Sequence, residues 1–116
     1  VSLHCSLVDG TRKIINQERL AVMKSSALLI NCARGPLVDE AALISALQSG
    51  KLAGAGLDVT DPEPISPDSP LFQMDNVIVT PHYAPTTLEA AMRVSKIAAE
   101  NIVSYLSGRA PVGRLI

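Results

Sequence analysis

Arg34, Glu63 and His82 each fall just past the end of a short apolar run. A cation, a carboxylate and an imidazole brought to one place can hold a small anion and move a proton on it. A guanidinium grips a carboxylate through two parallel hydrogen bonds. Imidazole is the natural proton donor or acceptor near neutrality. A carboxylate beside an imidazolium favours the charged form, so Glu63 next to His82 would keep that ring ready to donate a proton to a carbonyl under reduction. Pro62 and Pro64 restrain the backbone of Glu63 on both sides. Asp58 closes another apolar run, where an acid is costly unless it is paired or faces a ligand. Capping the adjacent loop and touching a ligand are equally open readings of it. Taken singly, these are an ordinary surface arginine, a loop glutamate and a satisfied histidine. Jointly they supply an anchor, an acid–base group and a modulator of that group.

The elements that must position them follow from hydrophobic pattern. Residues 1–7, 27–32, 53–59 and 77–80 read as strands, and the run over 27–32 is unbroken enough to suggest a parallel strand covered on both faces. Asn16 reads as the N-cap of a short helix through Leu20, Val22 and Met23. Asp39 and Glu40 open a second, whose Ala42, Leu43, Ala46 and Leu47 recur at helical spacing until Gly50. Pro62, Pro64, Pro67 and Pro70 leave only loop between 60 and 70. A long helix is expected over 87–106, with Leu88, Met92, Ser95, Ala99, Ile102 and Leu106 along one stripe and Gly108 as its stop. Alternating strands and helices with short connections give an α/β fold with a mainly parallel sheet and flanking helices. In such sheets ligands bind beyond the carboxyl ends of the strands, the edge to which Arg34, Glu63 and His82 would be delivered.

The bulk properties narrow the classes. At 116 residues the chain is one domain at most, and with Phe72, Tyr83 and Tyr105 as its only aromatics the core must be aliphatic. A net charge of −1 without a basic patch argues against nucleic acid and membrane surfaces. No apolar stretch approaches the roughly 20 residues of a membrane span, and no secretion signal opens the chain, so a cytoplasmic location is expected. Cys5 and Cys32 are expected as buried free thiols. With His4 and His82 they show no paired ligand spacing, so no metal is expected. Val1 stands within a strand-like run with no initiator Met, which suggests a piece of something longer.

The blocks Leu3-His4-Cys5-Ser6-Leu7 with Thr11, Asn31-Cys-Ala-Arg34-Gly35-Pro-Leu-Val-Asp39-Glu40, Gly54-Ala-Gly-Leu-Asp58-Val with Glu63-Pro64, and Thr80-Pro81-His82 resemble the D-isomer-specific 2-hydroxyacid dehydrogenases. The resemblance implies the C-terminal part of a Rossmann-type NAD-binding domain over residues 1–108, a partial Rossmann-like fold, with 109–116 a tail towards a substrate domain. It also implies roles. Arg34 would bind the substrate carboxylate and carbonyl, His82 would give or take the proton, Glu63 would partner His82, and Asp58 would bond the nicotinamide carboxamide. Cys5, Ser6, Leu7, Thr11, Cys32, Ala33, Arg34, His82 and Ala84 would line the dinucleotide, NAD or NADP.

Two departures stand out. Ser6 occupies a position where the family usually has Pro or Gly, and Pro85 removes an N–H from a stretch where small residues are more usual. The family's Gly-x-Gly-x-x-Gly turn and ribose-reading acid would precede Val1, so these 116 residues alone are expected to bind little cofactor and to be inactive. The implied activity of the whole is hydride transfer between nicotinamide and a 2-oxo or 2-hydroxy acid. The alternative is an NAD(H)-responsive interaction module, as in the corepressor branch, of which Leu3-His4-Cys5 is reminiscent. A stand-alone domain completed by a separate chain is a third reading. The apolar stripe of the long helix is wider than four short strands can cover, so self-association, as a homodimer, is expected.

Overall fold

The computed structural model describes residues 1–113 and divides the chain into two compact units, Val1–Tyr83 and Ala84–Ile116. The last three residues of the tail expected over 109–116 lie outside the described residues.

The first unit is a parallel sheet of β1 (Ser2–Leu3), β2 (Leu28–Asn31), β3 (Gly54–Leu57) and β4 (Val77–Val79), in the order β1-β2-β3-β4. Leu3 pairs with Asn31, Asn31 with Leu57, and Leu57 with Val79. The carboxyl ends of all four strands therefore line up along one edge. Helices α1 (Gln17–Val22) and α2 (Glu40–Gln48) lie in the β1–β2 and β2–β3 connections. Both begin where a side chain replaces a missing backbone acceptor. Asn16 accepts from the Arg19 N–H at 3.0 Å, and Asp39 accepts from the Ala42 N–H at 3.3 Å. Gly50, at φ +68°, ends α2 in a conformation that costs glycine nothing. Leu20 of α1 and Leu43, Ala46 and Leu47 of α2 join Leu3, Leu29, Ala55 and Leu57 of the sheet in one aliphatic core. Each such fully buried leucine contributes about 1.5–3 kcal/mol.

Every strand is shorter than its pattern predicts, and most of the residues lost lie at the carboxyl end. At β2 the reason is visible. Asn31 is buried, its Oδ1 accepts from the Ala33 N–H at 3.1 Å, and its Nδ2 donates to the Arg34 carbonyl at 2.9 Å. The side chain folds residues 32–34 into a turn instead of continuing the ladder. The expectation that 27–32 is covered on both faces is corrected too. Leu29 and Asn31 are buried while Leu28 and Ile30 are exposed, at 54% and 37%. On β4 Ile78 is exposed in the same way. The core elements gathered on this sheet all meet the Leu29 face.

Gly35 and Pro36 break the chain as expected, but for a tighter reason than turn chemistry. A Cβ on Gly35 would sit 1.9 Å from the Thr60 carbonyl oxygen. The loop after β2 thus touches the loop after β3 backbone to backbone. Gly35→Ala should destabilise the protein by about 3 kcal/mol or more, since backbone atoms must move apart; urea unfolding measures this.

Asp39 also carries an ion pair with Lys13 Nζ at 3.1 Å. The Lys13 bond first, then the Ala42 N–H, hold its carboxyl below the ordinary value of 3.8. A depressed folded-state value means that the charge stabilises the fold above about pH 4, and that this contribution disappears as pH falls through the folded value. Asp39→Asn keeps a capping oxygen and loses the charge. It should be less stable than the parent by on the order of 0.5 kcal/mol at pH 7, with the two stability curves converging in acid.

The second unit is built on α3 (Leu88–Leu106), capped by Thr87, whose side chain accepts from the Ala90 N–H at 3.1 Å. Asn101 brackets Val112, donating to its carbonyl at 3.2 Å and accepting from its N–H at 2.8 Å. None of the α3 residues is buried, and Leu88, Met92, Ile102 and Leu106 are exposed. Among the described residues no helix is long and apolar enough to cross a membrane.

Candidate active site

Asp58 is the first residue after β3, and its carboxylate is buried, 5% exposed. Burying a carboxylate is costly unless its lone pairs find donors. Asp58 Oδ1 accepts from Thr80 Oγ1 at 2.5 Å and from the Tyr83 N–H at 2.7 Å. Both donors belong to the segment that leaves β4. Between them stands His82, at φ +58°, a left-handed conformation that costs a non-glycine residue about 1 kcal/mol. The His82 N–H closes onto the Thr80 carbonyl at 3.0 Å. Its ring points to Glu63, with Nδ1 to Oε1 at 2.5 Å. The two side chains are equally exposed, 44% each, so the pair is open to a small molecule.

The carboxylate–imidazole pair borders a hollow of about 470 Å³ that combines Asp58, Thr60, Glu63 and His82 with the apolar Ile65, Phe72 and Val79. Thr60 Oγ1 donates to the Pro62 carbonyl at 2.9 Å, tying down the loop that carries Glu63. Beside the same loop, burial pushes the Glu40 carboxyl above its ordinary value; the Asp61 N–H opposes that shift and the Asp61 charge adds to it.

Arg34 follows the turn shaped by Asn31 and is exposed; its Nη1 donates to the Ala33 carbonyl at 2.7 Å. It does not line the hollow of Glu63 and His82. It borders a second one, of about 530 Å³, with His4, Cys5, Ser6, Leu7, Cys32 and Ala33, at the carboxyl ends of β1 and β2. Thr11 supports that rim: its hydroxyl donates to the Ser6 carbonyl at 2.7 Å and accepts from the Val8 N–H at 2.8 Å. Ala84 is the first residue of the second unit.

The structure thus brings Glu63 and His82 into contact, joins Asp58 to the segment that bears His82, and groups Arg34 with the residues expected to line a dinucleotide. Two participants escaped the sequence. The Thr80 hydroxyl and the Tyr83 N–H both donate to Asp58. A hydroxyl directly before Pro81-His82 was the available signal for the first; a backbone N–H leaves none. The expectation of buried thiols is corrected: Cys5 and Cys32 are both free and exposed. Because β1 stops at Leu3 and β2 at Asn31, both cysteines fall on the rim and not in the core.

A parallel βα sheet with a paired acid and imidazole beyond its carboxyl edge is a Rossmann-like α/β domain. The chain belongs to the D-isomer specific 2-hydroxyacid dehydrogenase family, matching its NAD binding domain over residues 1–84. It is 49% identical over 111 residues to a glyoxylate reductase of Thermofilum pendens, covering 96% of this chain and 33% of that one. Among solved structures it is similar to a D-isomer specific 2-hydroxyacid dehydrogenase from Xanthobacter autotrophicus Py2 in complex with NADPH and MES, with a TM-score of 0.85, 43% identity, and coverage of 99% of this chain and 47% of that one. It is also similar to the NAD complexed form of a D-isomer specific 2-hydroxyacid dehydrogenase from Lactobacillus delbrueckii ssp. bulgaricus, with a TM-score of 0.89, 36% identity, and coverage of 99% and 39%. The chain spans about a third of the length of the curated relatives it matches.

Exposure of the rim cysteines is directly measurable. Ellman's reagent should titrate both thiols without denaturant, and prior carboxymethylation of Cys5 and Cys32 should abolish the signal. A titre that appears only in denaturant would return them to the core.

Proposed function

We propose that the protein is an NAD(P)-dependent oxidoreductase that interconverts 2-oxo and 2-hydroxy acids, with residues 1–108 forming the C-terminal part of its cofactor domain. The observation that carries this reading is the Glu63–His82 pair at 2.5 Å, beyond the carboxyl edge of a parallel sheet. The nicotinamide, when bound, supplies or accepts the hydride. The chain's own residues do the remainder. Arg34 holds the substrate carboxylate and polarises its carbonyl. His82 donates a proton to the carbonyl oxygen as the alcohol forms, and takes it back in the oxidation direction. Glu63 orients the ring through Nδ1. In reduction one hydride reaches the carbonyl carbon, one proton reaches the oxygen, and the acid leaves as its 2-hydroxy form.

The rim of β1 and β2 fits part of a dinucleotide: a hollow of about 530 Å³ bordered by two successive loop segments. Cys5, Ser6, Leu7, Thr11, Cys32, Ala33 and Arg34 would line the cofactor there, with Asp58, His82 and Ala84 towards the nicotinamide. Relatives solved with NADPH and with NAD support either cofactor. The reductase and dehydrogenase relatives favour this reading over a corepressor module. We place the protein in the cytoplasm, a compartment that unpaired exposed cysteines fit, and read it as a homodimer, which the exposed apolar side chains of α3 support.

His82→Ala in the full-length protein should lower NADH-dependent reduction of glyoxylate by about 10²–10⁴-fold while NADH binding, read by fluorescence, persists. Arg34→Lys should raise KM for the oxo acid, because the bidentate grip is lost. Unchanged turnover in His82→Ala would reject the assignment.

A further inference from the structure

The backbone of His82 is left-handed without being glycine, a state that persists only where its surroundings over-determine it. Three bonds do so here. The His82 N–H reaches the Thr80 carbonyl at 3.0 Å, closing a short turn through Pro81, whose ring fixes its own φ. The Tyr83 N–H reaches Asp58 Oδ1 at 2.7 Å. Thr80 Oγ1 reaches the same oxygen at 2.5 Å. One buried carboxylate oxygen on the end of β3 therefore staples both flanks of His82. A carboxylate turns readily about its last torsion. The second donor on Oδ1, the Thr80 hydroxyl, helps to keep that oxygen aimed at Tyr83.

We propose that Thr80 is a positioning residue for the proton transfer. Its hydroxyl holds the Asp58 carboxylate in place, the carboxylate holds the turn, and the turn presents the His82 ring to Glu63. Thr80 itself bonds neither the ring nor Glu63. The proposal rests on His82 being the acid–base group, and it adds a requirement for a hydroxyl two residues before it.

Thr80→Val and Thr80→Ser in the full-length protein separate the possibilities. Valine keeps the shape and removes the donor; serine restores it. In Thr80→Val the Tyr83 amide should exchange about tenfold faster or more, as expected for losing a bond to a charged group, with the core amides of Leu29 and Leu57 unchanged. The kcat for oxo-acid reduction should fall about tenfold. Thr80→Ser should return both readouts to the parent level. Unaltered Tyr83 exchange in Thr80→Val, a serine variant as impaired as the valine one, or equal loosening across the core would each overturn the proposal. Should Thr80→Val fail to fold, Thr80→Ala replaces it, and failure of both overturns it as well, since a positioning role leaves the core standing. Amide exchange needs no turnover. A parent protein inactive on every 2-oxo acid would sink the proposed function while the exchange data still decide the role of Thr80.

Discussion

A carboxylate taken out of water demands donors, and the structure meets that demand at Asp58 with groups from the next strand. Thr80 and Tyr83 reach back from the end of β4 to the end of β3, so the penalty of burying one charge is offset only when the two loops sit correctly. This makes local electrostatics and site geometry the same constraint. If the loop that carries His82 drifts, Asp58 loses these two donors. The Glu63 contact is then made by two loops that are each already anchored, one by Asp58 and the other by Thr60.

A second constraint joins the rims of β2 and β3. Asn31 spends its side chain on the turn that carries Arg34, and Gly35 lets that turn meet Thr60 without an intervening side chain. The core beneath is aliphatic and one-sided, built by α1 and α2 against Leu29, Leu57 and their neighbours. Rigid packing thus lies on one face of the sheet, and the chemistry-bearing groups lie along its carboxyl edge, where loops stay accessible. Two hollows share that edge. One holds the acid–base pair with an apolar wall, and the other holds the arginine and the cysteines.

Much of this was legible beforehand because the signals were local. Asn16 and Asp39 cap the helices they open, since a short polar side chain there can reach an N–H three residues on. Parallel strands followed from helices interleaved with apolar runs. The sheet edge expected to carry Arg34, Glu63 and His82 is where all three stand. Strand ends depend on which polar side chains find partners, as Asn31 does in the turn over 32–34, so Cys5 and Cys32, read as interior, fall outside the ladder. The alternation of buried Leu29 with exposed Leu28 and Ile30 was likewise hidden, because an apolar run looks the same whether one face or two are covered.

What the sequence determined by itself was the inventory: an imidazole, two carboxylates and a guanidinium at the ends of apolar runs, with prolines and glycines stiffening the segments between. Periodicity and caps are properties of neighbours in the chain, so they could be read without coordinates. Only the tertiary structure decided which of those groups touch. It paired Glu63 with His82 across 19 positions, gave Asp58 its donors 22 and 25 positions away, and set Arg34 in the other hollow. Contacts at that separation depend on register and loop closure, and no local pattern encodes them.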